Sequence, residues 1–388
     1  MTGPGSVSRR SRHSSPPASN RPRAYYAREL LARLRQYGRA RVRGDHYRRR
    51  DRDSLEDAAA EIVEKRAASG FRPGAHFTGI WPRDLCFSAP GIVARGFESE
   101  LRAVGEWLVR RFDDVFFTEV RREYGAAVPT EGVDTFPALV MVLATCDRLA
   151  SHAEALAGLA ALHRRTFFDE ETMLVTGEGC GWWDSAAAPR EAYNTAMLLA
   201  ALERLECAGV ETTYSGALES VRTAWRDRLW TGEYVAERRD SSVLACDANV
   251  VPLYFGLVSD ARAQSIVDAL ETLETERGCL MRARPFTVTE VHPFFLLHRD
   301  YHYHIWPWNS LLYAIGARKY GFDARARREV ARLERTLRPY GTFLEVYTLE
   351  GKPYVKRGYA AADEFTVAAA LWSEYTDGQN STNFARQC

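Results

Sequence analysis

The sequence predicts an all-α protein, an (α/α)6 toroid of six helical hairpins with short β-hairpin pieces in the long loops on one rim. Three observations predict it. Twelve runs carry apolar residues at helical spacing, near 54–68, 85–95, 98–113, 135–150, 152–165, 190–206, 213–229, 247–257, 259–273, 304–320, 323–338 and 360–375. Six of them (85–95, 135–150, 190–206, 247–257, 304–320 and 360–375) are strongly apolar, and they alternate with six that carry a charged face, as at 221–227 and 324–329. The apolar runs recur every ~50–58 residues, the mark of a repeat architecture. A helix apolar all round is buried and one with a polar stripe lies outside. The alternation therefore gives six inner helices ringed by six outer ones. Returns from inner to outer helix are short, as at Gly96-Phe97, Ser151 and Ser259. The opposite connections are long, and 167–175 and 343–347 read as strand-like pieces within them. Long loops gather on one rim and short turns on the other.

The rest of the chain divides around that ring. Residues 1–53 read as a basic, largely disordered arm with one short helix near 24–37; 54–375 form the ring; 376–388 are a polar tail. The arm holds fourteen arginines and no lysine in its first fifty residues against Glu29 and Asp45. That is a charge of +12, leaving −11 on the remainder for a total of +1. With 48 arginines and four lysines in all, biased composition explains the arm as well as a binding surface does, and nucleic acid is not an expected partner. Hydrophobic content of 46% and charged content of 27% fit a soluble globule. No apolar run approaches the ~20 residues of a membrane span, and Arg9-Arg10 lacks the apolar stretch of an export signal. Seven scattered cysteines form no CxxC or Cys/His cluster, so neither a disulfide framework nor a metal site is expected and a cytoplasmic location is. Oligomeric state leaves no trace in these features.

Each long loop should deliver polar and aromatic groups to one funnel at the inner-helix N-termini, where partial positive charge gathers. In order the loops bring Trp81-Pro82-Arg83-Asp84, then Glu131 and Asp134, then Trp182-Trp183-Asp184, followed by Asn194 in the helix behind. Asp247 and Asn249 come next, then His302, His304, Trp306, Trp308 and finally Glu345, Tyr347, Lys356 and Arg357. Five of nine tryptophans fall in these windows, which suits flat apolar platforms for a sugar ring. Asp184 lies beside two indoles that desolvate it, raise its pKa and let it keep a donatable proton. Singly, each of these aspartates is also a plausible helix cap.

These segments resemble a known group. Trp81-Pro82-Arg83-Asp84 is similar to the motif by which glucoamylase-type enzymes hold a terminal glucose. Gly181-Trp182-Trp183-Asp184-Ser185 resembles the trehalase and processing α-glucosidase segment whose Asp is the general acid. Residues 305–321 resemble the Trp-Pro-Trp helix of glycogen-debranching amylo-α-1,6-glucosidases, and 343–354 the segment that carries their general base. Together, over roughly 54–375, they resemble the six-hairpin glycosidase superfamily. The preceding β-sandwich and starch-binding modules of some relatives are missing, and Ala186-Ala187-Ala188 replaces the polar residues that follow the acid in trehalases.

The resemblance implies an exo-acting α-glucosidase that inverts the anomeric centre and needs no metal or organic cofactor. Asp184 is the expected acid and Glu345 the expected base, with Glu131 and Glu364 as other candidates for the base. Arg83 and Asp84 are expected to clasp sugar hydroxyls, or else to form a structural ion pair. Trp81, Trp183, Trp306 and Trp308 are expected to supply ring faces. Asp134, Asn194, Asp247, Asn249 and His304 complete the set of candidate substrate contacts, although Asp134 and Asp247 also fit as caps. Two other classes stay open. A sugar 2-epimerase on the same toroid would use His302 and His304 to move a proton beside a carbonyl; a non-catalytic toroid would only bind oligosaccharide.

Overall fold

The computed structural model describes residues 23–42, 52, 54–112, 116, 120–121, 125–126, 132–177, 186–291, 293–356 and 358–377. Among them are thirteen α-helices: α1 (Arg23–Val42), α2 (Leu55–Ala67), α3 (Pro82–Ala94), α4 (Glu98–Val109), α5 (Thr135–Thr145), α6 (Ala153–Phe167), α7 (Glu191–Cys207), α8 (Leu218–Leu229), α9 (Asp247–Phe255), α10 (Asp260–Leu270), α11 (Pro307–Lys319), α12 (Asp323–Leu337) and α13 (Thr366–Asp377). All twelve expected ring helices are present. The inner six form a closed circuit: α3 packs on α5, α5 on α7, α7 on α9, α9 on α11, α11 on α13, and α13 returns to α3. The outer helices pack on that circuit, α2 on α13, α4 on α3 and α5, α8 on α7 and α12 on α11.

Composition explains the layering. In α5 every residue from Thr135 to Leu143 is buried, while α12 buries Ala326, Glu329, Leu333, Thr336 and Leu337 and shows an arginine-rich face to water. Two glycines let the inner helices close the ring. A Cβ on Gly91 would stand 1.9 Å from the Ala370 carbonyl oxygen of α13, and one on Gly316 would stand 2.9 Å from Leu253 of α9. Helix backbones can approach that closely only where no side chain intervenes.

Several boundaries differ from the periodicity, for local reasons. Helix α11 starts at Pro307 because proline at the first helical position has its φ preset and no N–H to lose. Helix α13 starts at Thr366 because Glu364 has a left-handed backbone, φ 52°. Gly256, at φ 76°, ends α9 in the usual left-handed cap. Helix α1 runs five residues past its expected end, through arginines that are good helix formers.

Two-residue antiparallel pairs occur at 120–121 with 125–126, 168–169 with 174–175, 274–275 with 278–279, and 355–356 with 359–360. The second was expected. The 343–347 piece forms no such pair; Tyr347 instead bridges Ile305 and Pro353, while Leu280 bridges Ile305 and Ala245 bridges Arg282. These bridges stitch successive long loops into one rim. Cys207 is disulfide-bonded, a link that the cysteine spacing did not signal. Among the described residues no helix is long and apolar enough to cross a membrane.

Candidate active site

Side-chain contacts run around the inner-helix N-termini and show that they share one rim. Arg83 of α3 donates from Nε to Asp134 Oδ2, just ahead of α5, at 2.6 Å, and Tyr193 of α7 donates its hydroxyl to the same oxygen at 2.9 Å. Arg190, which precedes α7, donates to both oxygens of Asp247 of α9 at 3.0 and 3.1 Å. Trp308 of α11 lies edge-on to Phe365 ahead of α13, and Phe77 packs on both Phe365 and Trp81.

Glu345 stands in the wall formed by the loops ahead of α11 and α13, 4% exposed. Its backbone N–H donates to the Ala362 carbonyl at 2.9 Å. Its carboxylate accepts the Tyr301 hydroxyl on Oε1 at 2.6 Å; on Oε2 it accepts the Tyr359 hydroxyl at 2.6 Å and the Ala362 N–H at 3.0 Å. The two hydroxyls are 3.0 Å apart. Burial raises the carboxyl's pKa, while these three hydrogen bonds and the charge of Arg33 work against the rise. Burial, reinforced by the neighbouring carboxylate, drives both phenols well above their ordinary value, so they remain neutral donors.

Aromatic rings frame this carboxylate. Tyr301 meets Trp306 at 4.9 Å and Tyr354 at 5.4 Å, and Trp306 donates its indole N–H to the Tyr301 carbonyl at 3.2 Å. The His302 ring stacks on Trp306 at 5.1 Å, whereas His304 turns to Asp300, 3.5 Å away, so the two histidines serve different partners. Asp300 also binds Lys356 and the Tyr354 hydroxyl, which ties the half-exposed Lys356 to the wall. An open cleft of about 580 Å³, lined by Phe286, Val288, Leu296, Leu297, Asp300 and Lys356, borders the wall.

Other expected residues are placed differently. Asn249 is fully buried, its amide spent on the Val235 N–H and on the Val235 and Ala245 carbonyls. It pins a loop and has no group left for a sugar. Asp247 is equally buried and bonded to Arg190, the arrangement of a structural ion pair. Trp308 sits between Phe87 and Phe365 as core, not as an open platform. Arg83 and Asp134 form a buried ion pair with each other; Asp84 and Asn194 are buried in the first turns of α3 and α7. Glu364, the other described candidate for the base, is bound by Lys65 and Arg66 of α2. Asp184, Trp182, Trp183, Glu131 and Arg357 lie outside the described residues. The chain just after Ser185 reaches this rim, where the Ala187 N–H donates to the Glu290 carbonyl at 2.9 Å.

Three features escaped motif reading. One is the tyrosine pair that holds Glu345. The second is a buried network in which Glu237 accepts from Arg190 at 2.6 Å and from Arg282 at 2.9 and 2.8 Å, with Glu290 on Arg282 at 3.0 Å. The third is His76, in the loop ahead of α3. It is buried between Phe77 and the edge of Tyr359, and neither ring nitrogen has a hydrogen-bond partner among the described residues. Burial, aided by the charge of Arg33, lowers its pKa to about 3, so the imidazole is neutral. One nitrogen is then a donor and the other an acceptor.

No protein-family model and no curated protein matches this sequence. Solved structures do share its fold, a toroid of helical hairpins, and among them are glycosidases. A wild-type glycosidase matches with a TM-score of 0.66 at 15% identity, covering 84% of this chain and 96% of that one. A glycosidase substituted at one position and in complex with glucose matches at 0.67, with the same identity and coverage. A GH63 mannosylglycerate hydrolase from Thermus thermophilus, in complex with glucose, matches at 0.62 and 17% identity, covering 83% of this chain and all of that one.

Proposed function

We propose that this chain is a glycoside hydrolase that releases the terminal sugar of α-glucosides with inversion. Asp184 acts as general acid and Glu345 as general base. The observation that carries the reading is the setting of Glu345, a buried carboxylate held by two neutral phenols in an aromatic wall at the inner-helix N-termini. Neutral donors fix its geometry without cancelling its charge, so the carboxylate keeps its basicity toward a water molecule. Inversion asks for the two carboxyl groups to stand ~6.5–9.5 Å apart, leaving room for that water. In this reading Trp81, Trp183 and Trp306 supply ring faces to the sugar, Arg83 and Asp84 bind hydroxyls of the terminal sugar, and Asp134 steadies Arg83.

The test is a panel of α-linked glucosides, with mannosylglycerate included because a structural neighbour is named for that substrate. Product anomers are followed by NMR. Release of the inverted anomer, with turnover lowered at least ~10²-fold in Asp184→Asn and in Glu345→Gln, supports the reading. Near-normal turnover in both variants overturns it.

A further inference from the structure

Helix α1, expected to belong to a mostly disordered arm, packs on the strand pair 355–356 and 359–360 at the rim. Gln36, buried on its inner face, donates from Nε2 to the Ala361 carbonyl at 3.3 Å. The neighbouring Ala362 N–H donates to Glu345, and so does the Tyr359 hydroxyl two residues before Ala361. One short segment therefore has α1 on one side and the Glu345 carboxylate on the other. Arg33 lies three residues before Gln36, on the same face of the helix. Its side chain is half-buried and its Nε is closed off from solvent.

We propose that Arg33 is a positioning residue for Glu345: α1, tethered through Gln36, holds the Arg33 guanidinium behind the Tyr359–Ala362 segment as a counter-charge to the carboxylate. The inference rests on the reading of Glu345 as general base. Several groups face that carboxylate. Tyr301 comes from the loop ahead of α11, and Tyr359 with the Ala362 N–H from the loop ahead of α13. His76, in the loop ahead of α3, stands beyond Tyr359, edge-on to its ring at 5.8 Å. Tyr354 and His298, bonded to each other at 3.2 Å, stand behind the tyrosines. Among these groups the phenols are neutral donors and His76 is uncharged, and Arg33 adds positive charge to the cluster. Its charge lowers the pKa of Glu345, Tyr359 and His76 alike, each against or alongside the larger effect of burial. Without it burial prevails, and Glu345 takes up its proton at higher pH.

The experiment uses the full-length protein with Arg33→Gln, Arg33→Lys, Gln36→Ala and Glu345→Gln. Infrared difference spectra against Glu345→Gln follow the titration of that carboxyl whether or not the protein turns over. The pH profile of kcat/KM is recorded in parallel. Arg33→Gln is expected to move the infrared midpoint and the acid limb upward together by about half a pH unit or less, because its charge acts on the carboxyl more weakly than each of the three hydrogen bonds. Arg33→Lys should restore most of the shift, and Gln36→Ala should reproduce a smaller part of it. An unmoved midpoint in Arg33→Gln overturns the proposal, as does an equal shift in Arg33→Gln and Arg33→Lys, which would mark a role in packing alone. Full turnover in Glu345→Gln would remove that residue as the base, a separate failure; the infrared midpoint then still decides whether Arg33 faces the carboxyl.

Discussion

On the α7–α9 side of the rim Glu237 is clamped between Arg190 and Arg282, while on the α11–α13 side Glu345 is held by two tyrosines and a backbone N–H. Both carboxylates are almost completely buried, and burial pushes both upward in pKa. At Glu237 the two guanidiniums outweigh that push and bring it down to about 2. At Glu345 the neutral donors and the more remote Arg33 do not, and it stays raised. A carboxylate clamped by two cations is committed to holding loops together; one steadied by dipoles remains available for proton transfer. The contrast separates a carboxylate held by opposite charge from one held by neutral dipoles, and it can be broken at either end.

The largest expected effect lies on the clamped side. Arg190→Leu leaves Asp247 without this cation and Glu237 with one fewer, and breaking a buried pair costs about 3–5 kcal/mol. Urea unfolding should show that loss, whereas Glu345→Gln should cost under about 1 kcal/mol while removing turnover. Equal destabilisation by the two variants would erase the distinction.

Next in size is a pH effect of fixed sign. Folded Glu237 binds its proton less readily than the unfolded chain, so its contribution is complete above the ordinary glutamate value of 4.5 and is lost as pH falls toward about 2. The shift corresponds to about 3 kcal/mol. Melting temperature should drop over that window in the native protein and much less in Glu237→Gln. A parallel drop in both would place the acid sensitivity elsewhere.

A third buried carboxyl sharpens the rule. Glu329 of α12 accepts the Cys279 N–H at 2.7 Å, and the Arg332 guanidinium, 3.6 Å from its other oxygen, is itself engaged by Glu274. Burial raises it to about 7. Here the folded state binds the proton more readily, so stability falls as pH climbs from 4.5 toward 7. Glu329→Gln keeps an acceptor for Cys279 without the charge, and it should gain about 3 kcal/mol at about pH 8 and almost nothing at about pH 4. Denaturant midpoints at the two pH values give the comparison.

These differences also show what the sequence could carry. Helix order, the inner and outer layers and the rim of long loops were all legible, because each depends on apolar spacing within one segment. The candidacy of Glu345 was legible from its loop. The state of each acid was not: Asp247, Asp134 and Glu345 look alike as acids at loop ends, and what separates them is the partner. Arg190 lies 57 residues from Asp247 and Tyr301 lies 44 from Glu345. The same holds for α1, whose composition suggested a free arm. Its docking depends on an Ala361 carbonyl 325 residues from Gln36. Asn249 shows the same limit, since a buried amide that pins a loop has the same local sequence as one that binds a hydroxyl.

The smallest expected effect tests the other half of the contrast, that neutral donors tune Glu345 rather than merely pack beside it. Tyr359 shares Oε2 with the Ala362 N–H, whereas Tyr301 donates to Oε1. Removing either hydroxyl takes one hydrogen bond from the ionised form, a bond to a charged group worth about 1.5–3 kcal/mol in isolation. At Tyr359 the remaining N–H offsets part of the loss, so Tyr359→Phe should raise the acid limb of kcat/KM by about half a pH unit. Tyr301→Phe, which leaves its oxygen with less compensation, should raise it by about one unit. The ring and its packing survive both changes, so thermal stability should move little. If the acid limb stays put while stability falls, the phenols are packing groups, and the difference between the two sides of the rim lies in burial alone.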